Sequence, residues 1–273
     1  MKEESYADVA RRHRSARDSH EGDVLLEVIG LTKTFVRDGH TFSALDDVAF
    51  TIRRGEVLGV IGESGSGKST IAKCLLGLHG VSGGSIRFDG RELTGLIVSE
   101  RKDVYRRMQM VFQDATASFN PRGTIGHAIV DTVCRLCAET KRDAEVRAAS
   151  LLESVGLPAG YMKKYPHEMS GGECQRAAIA RAMAVHPELL VCDEMTSALD
   201  VGVQADIIDL LVRLKDETGV GVLFITHDLP LAATISNRLL VMRGGRIEAY
   251  GSTKEIIFKP QSEYVKELLD SVL

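Results

Sequence analysis

The sequence predicts an α/β fold, and three observations predict it. Apolar, β-favouring runs alternate with helical patterns through most of the 273 residues. One run, Val57 to Ile61, leads into the glycine-rich turn Gly62-Glu63-Ser64-Gly65-Ser66-Gly67-Lys68-Ser69 and then into the helical pattern IAKCLLGL. Another, Leu189 to Cys192, ends in Asp193-Glu194. The first of these is a complete G-x-x-x-x-G-K-[ST] set between a strand and a helix. Such a turn aims several backbone N–H groups and the positive end of the helix dipole at one point, which suits an anion. Lys68 is expected against the β- and γ-phosphates of a nucleoside triphosphate. The Ser69 hydroxyl is expected on magnesium, because a hard cation bridging phosphate oxygens takes oxygen donors.

With 44% hydrophobic residues the chain can bury a large core, as one domain or as a core with a subdomain. A net charge of -4 and a pI near 6.1 give no reason to expect nucleic acid or an anionic membrane as the main partner. Five cysteines, an odd number set mostly within apolar patterns, suit reduced thiols. Cys134 and Cys137 form a C-x-x-C without a second pair, in a helical context, and the pattern does not support a metal site. No apolar run nears the length of a membrane span, and the first residues lack the apolar core of a signal peptide. The reading is a cytosolic protein that would serve a membrane by docking onto something that crosses it.

In order along the chain, residues 1–22 are polar and charged and read as a mobile tail. Residues 24–29 and 42–52 read as strands, with the turn signal Asp38-Gly39 between them. Phe35 lies here, where its ring could stack on a purine or simply fill the core of this layer. After the phosphate-loop helix, Gly83-Gly84 and Asp89-Gly90 bracket a strand of a hairpin. Residues 106–112 read as a further strand with Gln113 at its end, a position from which an amide can reach a metal or an attacking water, or merely face solvent.

From Thr124 to Ala184 the pattern turns helical, which suggests an inserted subdomain of about residues 114–184 within a domain of residues 23–273. Inside it Ser170 precedes a helix and is a candidate N-cap, and Gly171 and Gly172 leave amides open for a second anion site. Beyond the Leu189–Cys192 run, burial of the strand would hold Asp193 beside a metal and place Glu194 at a lytic water; two solvated acids at a strand end are the alternative. The apolar run VGVLFIT then ends at His227-Asp228, which puts His227 at the carboxyl end of a strand, where open α/β sheets bind ligands. Two strands around Gly244-Gly245 and a closing helix over about residues 262–269 complete the pattern.

The set of motifs resembles the nucleotide-binding subunit of an ATP-binding cassette (ABC) transporter over about residues 24–271. GESGSGKST is similar to the family's Walker A, Gln113 to its Q-loop, MSGGECQR to its signature, LLVCDE to its Walker B, SALD to its D-loop and His227 to its switch histidine. The segment SFNPRGTIGHAI, with DVGVQADIIDLL and THDLPLA, is further similar to the ATPases of peptide and nickel importers. The resemblance implies a P-loop NTPase core with an N-terminal antiparallel β subdomain and an inserted helical subdomain. It implies ATP and Mg2+ as ligands, with Phe35 and residues Gly62, Glu63, Ser64, Gly65, Ser66, Gly67, Lys68, Ser69 and Thr70 on the nucleotide. Ser69, Gln113 and Asp193 would serve the metal, Glu194 the water and His227 the γ-phosphate.

The same resemblance implies two such subunits head to tail, each ATP lying between one Walker A loop and the partner's Ser170, Gly171 and Gly172. It implies two membrane-spanning permease subunits, a binding protein outside the cell, a place on the cytoplasmic face of the membrane, and oligopeptides, dipeptides, nickel or metal chelates as cargo. A soluble ABC ATPase that drives no transport, such as an assembly or carbon-phosphorus-lyase component, is the alternative. Several positions depart from the family's pattern: Met169 stands where leucine usually opens the signature, a volume-conserving swap, and Glu173-Cys174 and Met195 also differ. Met195 stands where proline usually follows the glutamate, which implies a looser turn. Glu173 stands where the signature usually has glutamine, and it brings a negative charge toward the partner's γ-phosphate.

Overall fold

A computed structural model describes residues 23–37 and 39–270, so the expected tail of residues 1–22 and Asp38 of the predicted turn lie outside the described residues. In chain order the strands are β1 (Val24–Arg37), β2 (His40–Arg53), β3 (Val57–Gly62), β4 (Gly83–Phe88), β5 (Arg91–Glu92), β6 (Met108–Val111), β7 (Leu189–Asp193), β8 (Gly221–Ile225), β9 (Arg238–Arg243) and β10 (Arg246–Ser252). The helices are α1 (Lys68–Leu75), α2 (Lys102–Arg107), α3 (Ile125–Cys137), α4 (Lys141–Ser154), α5 (Gly171–Met183), α6 (Val201–Thr218), α7 (Leu229–Ile235), α8 (Thr253–Phe258) and α9 (Glu263–Asp270). The described residues divide into two compact units, one of residues 23–100 (without 38) with 221–270 and one of residues 101–220.

The first unit carries the phosphate loop. Its antiparallel sheet runs in the order β2-β1-β4-β5, and β3 lies between β8 and β9 as a parallel trio with β10 antiparallel outside β9. Both β3 and β8 are buried at every position, as continuous apolar runs in a covered parallel sheet should be. The Tyr250 hydroxyl of β10 accepts from Thr51 N–H and donates to Thr51 C=O on β2, fixing the antiparallel sheet against this trio. Glu56, buried, takes an ion pair from Arg238 at 3.2 Å and a hydrogen bond from Arg53 N–H at 2.7 Å, so a charge inside the unit is satisfied on both oxygens.

The second unit holds the parallel pair β6 and β7 with helices α2 to α6. Its helices start where the sequence offers caps: the Thr124, Thr140 and Ser170 hydroxyls accept from the N–H groups of His127, Asp143 and Glu173. Residues 106–112 differ from the sequence expectation. Only Met108–Val111 is strand, because Arg106 and Arg107 close α2, where the Arg107 guanidinium makes a 2.7 Å ion pair to Glu188 ahead of β7.

Candidate functional site

In the first unit β3 delivers the phosphate loop. Gly62 has φ of 150°, and a Cβ there would lie 2.2 Å from the Met242 carbonyl oxygen of β9, so no side chain fits where the strand gives way to the loop. Ser66 N–H bonds back to Glu63 C=O at 3.2 Å, and Ser66 C=O accepts from Gly245 N–H at 3.1 Å, which ties the loop to the β9–β10 turn. Gly67 then caps α1 in the left-handed region, φ 104°. The Lys68 side chain is buried, and its ammonium donates to the carbonyls of Gly62 and Glu63, both at 2.8 Å. It therefore lies folded across the inside of the loop, at the point where the N–H groups converge. Ser69 and Thr70 are half-buried at the start of α1.

His227 belongs to the same unit. The parallel register pairs Val60 with Ile225, so two residues further on His227 stands level with Gly62 at the carboxyl ends of β3 and β8. Thr226 N–H bonds Val60 C=O at 3.1 Å, and Asp228 caps α7 through Leu231 N–H, which leaves the exposed His227 on a turn held at both sides. Phe35, on β1, is half-buried. Its ring stacks at 5.5 Å on Phe42 across the hairpin, meets His79 edge-on at 5.2 Å, and carries the Lys33 ammonium 4.7 Å from its centroid.

The second unit brings together Gln113, Asp193 and Glu194. The register of β6 and β7 pairs Val111 with Cys192, so Gln113 and Glu194 come level just beyond the two strand ends. Gln113 donates its amide to the Ser197 hydroxyl at 3.2 Å, and that hydroxyl donates to Glu194 C=O at 3.0 Å. Asp193 is buried at the end of β7, while Glu194 is half-exposed with φ of 48°. A glutamate in the left-handed region is strained by on the order of 1–2 kcal/mol, and such strain collects at functional positions. The turn after it is closed without proline: Ser197 N–H bonds Glu194 C=O at 3.1 Å, and Met195 is packed in the core. Burial, with the Asp193 charge behind it, pushes the Cys192 thiol far up, so it stays protonated.

Ser170 is exposed at the start of α5 in a complete capping box. Its N–H donates to the Glu173 carboxylate at 2.8 Å, and the other carboxylate oxygen accepts from the Tyr161 hydroxyl at 2.6 Å. The Tyr161 hydroxyl and the Ser170 N–H hold the Glu173 carboxyl below the usual range. Gly172 is required for a different reason: a Cβ there would lie 2.6 Å from Val203 Cγ1 of α6. The signature turn is thus pressed against the start of the helix that follows SALD.

Residues 45–197 match the family model described as ABC transporter. The chain belongs to that family. It is 42% identical over 257 residues, 90% of this chain and 77% of the other, to a protein of Brucella abortus (strain 2308) named as a peptide import ATP-binding protein. A Brucella ovis protein of the same kind of name is 42% identical over 248 residues, covering 91% of this chain and 78% of that one. Among solved structures, a dimeric ATP-binding cassette, MJ0796, in a post-hydrolysis state with ADP and Pi superimposes with a TM-score of 0.76 at 28% identity, over 84% of this chain and 98% of that one. The cbiO1 protein of Clostridium perfringens, part of the ABC transporter complex cbiONQ, gives 0.76 at 26% identity, over 92% and 94%.

As an ABC-type ATPase the chain binds ATP, and the loop fits its phosphates. The Ser66 hydroxyl is buried within the loop with no hydrogen-bond partner among the described residues, a polar atom that an anion or its water would satisfy. Two carbonyls hold the Lys68 ammonium where phosphate oxygens would compete for it. Among the described residues no helix is long and apolar enough to cross a membrane. Two contributors escaped sequence reasoning, Tyr161 behind Glu173 and Arg181 beneath Ser118, and Ser197 entered only as the first residue of SALD, without its link between Gln113 and Glu194.

Proposed function

We propose that the chain is the ATP-hydrolysing subunit of an importer, with oligopeptides or dipeptides as the cargo and nickel or metal chelates as the second candidate. The observation that carries this is the 42% identity, over nine-tenths of the chain, to proteins named for peptide import. Two copies, or this chain and a second ATPase subunit, would pair head to tail beneath two permease subunits on the cytoplasmic face. A binding protein outside would deliver the cargo. The dimeric form of the similar cassette MJ0796 supports the pairing.

In this reading the N–H groups of residues 62–70 and the Lys68 ammonium bind the β- and γ-phosphates. Ser69, Asp193 and Gln113 would hold Mg2+, which when bound neutralises charge on the phosphate oxygens. Glu194 accepts a proton from the attacking water, with its backbone fixed by Ser197. His227, level with Gly62, donates toward the γ-phosphate. Phe35 offers its ring to the purine, and Ser170 with Gly171 and Gly172 completes the partner's site from across the interface. The soluble, non-transporting alternative gains no observation of its own.

The test is to express the chain with its membrane partners and measure ATPase activity and uptake. Lys68→Ala should abolish both while the subunit still folds and assembles. Stimulation of turnover by peptide-loaded binding protein would support the peptide reading, and stimulation only by a nickel-loaded one would replace it. Undiminished turnover in Lys68→Ala would overturn the nucleotide site.

A further inference from the structure

Tyr161 stands outside the nucleotide motifs, on the short 3-10 turn Ala159–Lys163, which packs on α3 and α4 of the second unit. Its N–H bonds Pro158 C=O at 2.9 Å, its C=O accepts from Lys164 N–H at 3.1 Å, and the Lys164 ammonium lies 3.6 Å from its ring centroid. From this support the hydroxyl donates to one oxygen of Glu173 at 2.6 Å, the short bond that a charged acceptor gives. The other oxygen takes Ser170 N–H at 2.8 Å and the Ser170 hydroxyl at 3.1 Å. A carboxylate only accepts, so in the last of these bonds the Ser170 hydroxyl is the donor, and its single hydrogen is aimed into its own chain.

In the proposed dimer Ser170 serves the partner's γ-phosphate, so that phosphate and Glu173 compete for one hydrogen. How strongly the carboxylate holds it, and where the carboxylate stands, decide the contest. Tyr161 acts on both. A donor on one oxygen draws charge away from the other, which also helps to hold the carboxyl below its usual range, and a less basic oxygen is a weaker acceptor for Ser170. A bond from a residue supported on other helices also keeps the carboxylate at the start of α5, within the positive end of the helix dipole. Without the phenol, Glu173 would grip the Ser170 hydrogen more firmly, and more of its charge would stand in front of an incoming phosphate.

We propose that Tyr161 is a positioning residue for the second half of the ATP site: acting through Glu173, it lets the Ser170 hydroxyl turn from its own carboxylate to the partner's γ-phosphate. The inference rests on the proposed pairing of two subunits around ATP. It makes the phenol matter only while position 173 carries an acid, a dependence that a purely structural role for the turn does not share.

Tyr161→Phe tests it, since the ring, its packing and the Lys164 contact all stay. ATPase activity of the chain assembled with its membrane partners is measured against ATP concentration, beside ATP binding to the lone subunit and its thermal melting. The expected result is that the ATP concentration for half-maximal turnover rises about threefold to tenfold, as for one lost hydrogen bond, while ATP binding to the lone subunit, which uses only its own phosphate loop, is unchanged. In a Glu173→Gln background, which keeps the cap but removes the charge, the same change should have no effect on turnover. An unchanged half-maximal concentration in Tyr161→Phe, an equal rise in the Glu173→Gln background, or a lower melting temperature with unaltered kinetics would each overturn the proposal. An assembled wild type that does not hydrolyse ATP, or undiminished turnover in Lys68→Ala, would instead overturn the proposed function and the inference with it.

Discussion

Arg181→Met should loosen the segment that follows Gln113 while sparing the nucleotide site. Arg181 lies on α5 and donates from Nη1 to Ser118 C=O at 2.7 Å and from Nη2 to the Ser118 hydroxyl at 3.1 Å. Its guanidinium carbon is 4.5 Å from the Phe119 ring centroid, and Phe119 is itself buried. Hydrogen bonds from a charged donor contribute about 1.5–3 kcal/mol each, and a partly desolvated cation–π contact about 1–2. Against this stands the cost of burying the guanidinium, which also depresses its ionisation. Methionine keeps much of the stem's packing but leaves the Ser118 carbonyl without that donor. The net loss should be about 2–4 kcal/mol. Urea titration of the subunit would read it as a lower midpoint at unchanged slope, and limited proteolysis should cut within residues 114–123 first. Because residues 114–123 belong to the second unit and not to the one that carries the phosphate loop, and lead from Gln113 into the helices of that second unit, uptake by the assembled importer of the proposed function should fall more than ATP affinity does. A variant within 0.5 kcal/mol of the wild type, by the scale on which surface changes are felt, would refute the reasoning.

Two other outcomes follow from the geometry. Glu194→Gln keeps size and most hydrogen bonding but loses the negative charge, so hydrolysis should slow by about 10²- to 10⁴-fold while ATP still binds, and sizing with ATP against ADP should show an ATP-held dimer; normal hydrolysis would remove Glu194 from the chemistry. Glu92 gives a pH signature. Burial alone would raise its carboxyl, but hydrogen bonds from Ser85, Thr94 and Ile86 bring it down to about 2 from the usual 4.5. The folded-state value is depressed, so this contribution is complete above about pH 4.5 and lost as pH falls from there toward 2. Glu92→Gln should therefore flatten the acid limb of a stability-against-pH curve, and an unaltered limb would count against the hydrogen-bond set.

The strands that end in chemistry were legible because their chemistry is local. A phosphate loop needs its glycines, lysine and serine within eight consecutive residues, and an apolar run ending in two acids is equally compact. The position of the phosphate loop and the placement of His227 at the carboxyl end of a strand follow from such runs, whereas the order of β8 and β9 on either side of β3 does not. What escaped is set by distance along the chain. Gly62 must be glycine because of Met242, 180 residues later, and Gly172 because of Val203; neither neighbour can be inferred from the turn itself. The strand expected over 106–112 is shorter for a related reason: Arg106 and Arg107 look strand-compatible beside an apolar run, but both pair with Asp103 one helical turn back and Arg107 also pairs with Glu188, so they end a helix.

Two of the departures from the family's pattern, Met195 and Glu173, show how such distant partners change a residue's meaning. Read alone, Met195 removes a stiffening proline, yet the structure supplies stiffness by other means. Ser197 locks the Glu194 carbonyl with both its amide and its hydroxyl, and the Met195 side chain is 1% exposed. Read alone, Glu173 is a misplaced charge, yet its two oxygens are engaged by Tyr161 and by Ser170 N–H. Those donors hold the carboxylate in place and keep it ionised, so its negative charge persists but sits at the start of α5, where the positive end of the helix dipole offsets it. The same bonds occupy the Ser170 N–H, which leaves the Gly171 and Gly172 amides as the donors at this helix start still open to a phosphate. The charge at position 173 therefore acts first on the shape of the signature turn and only second on the field in front of it.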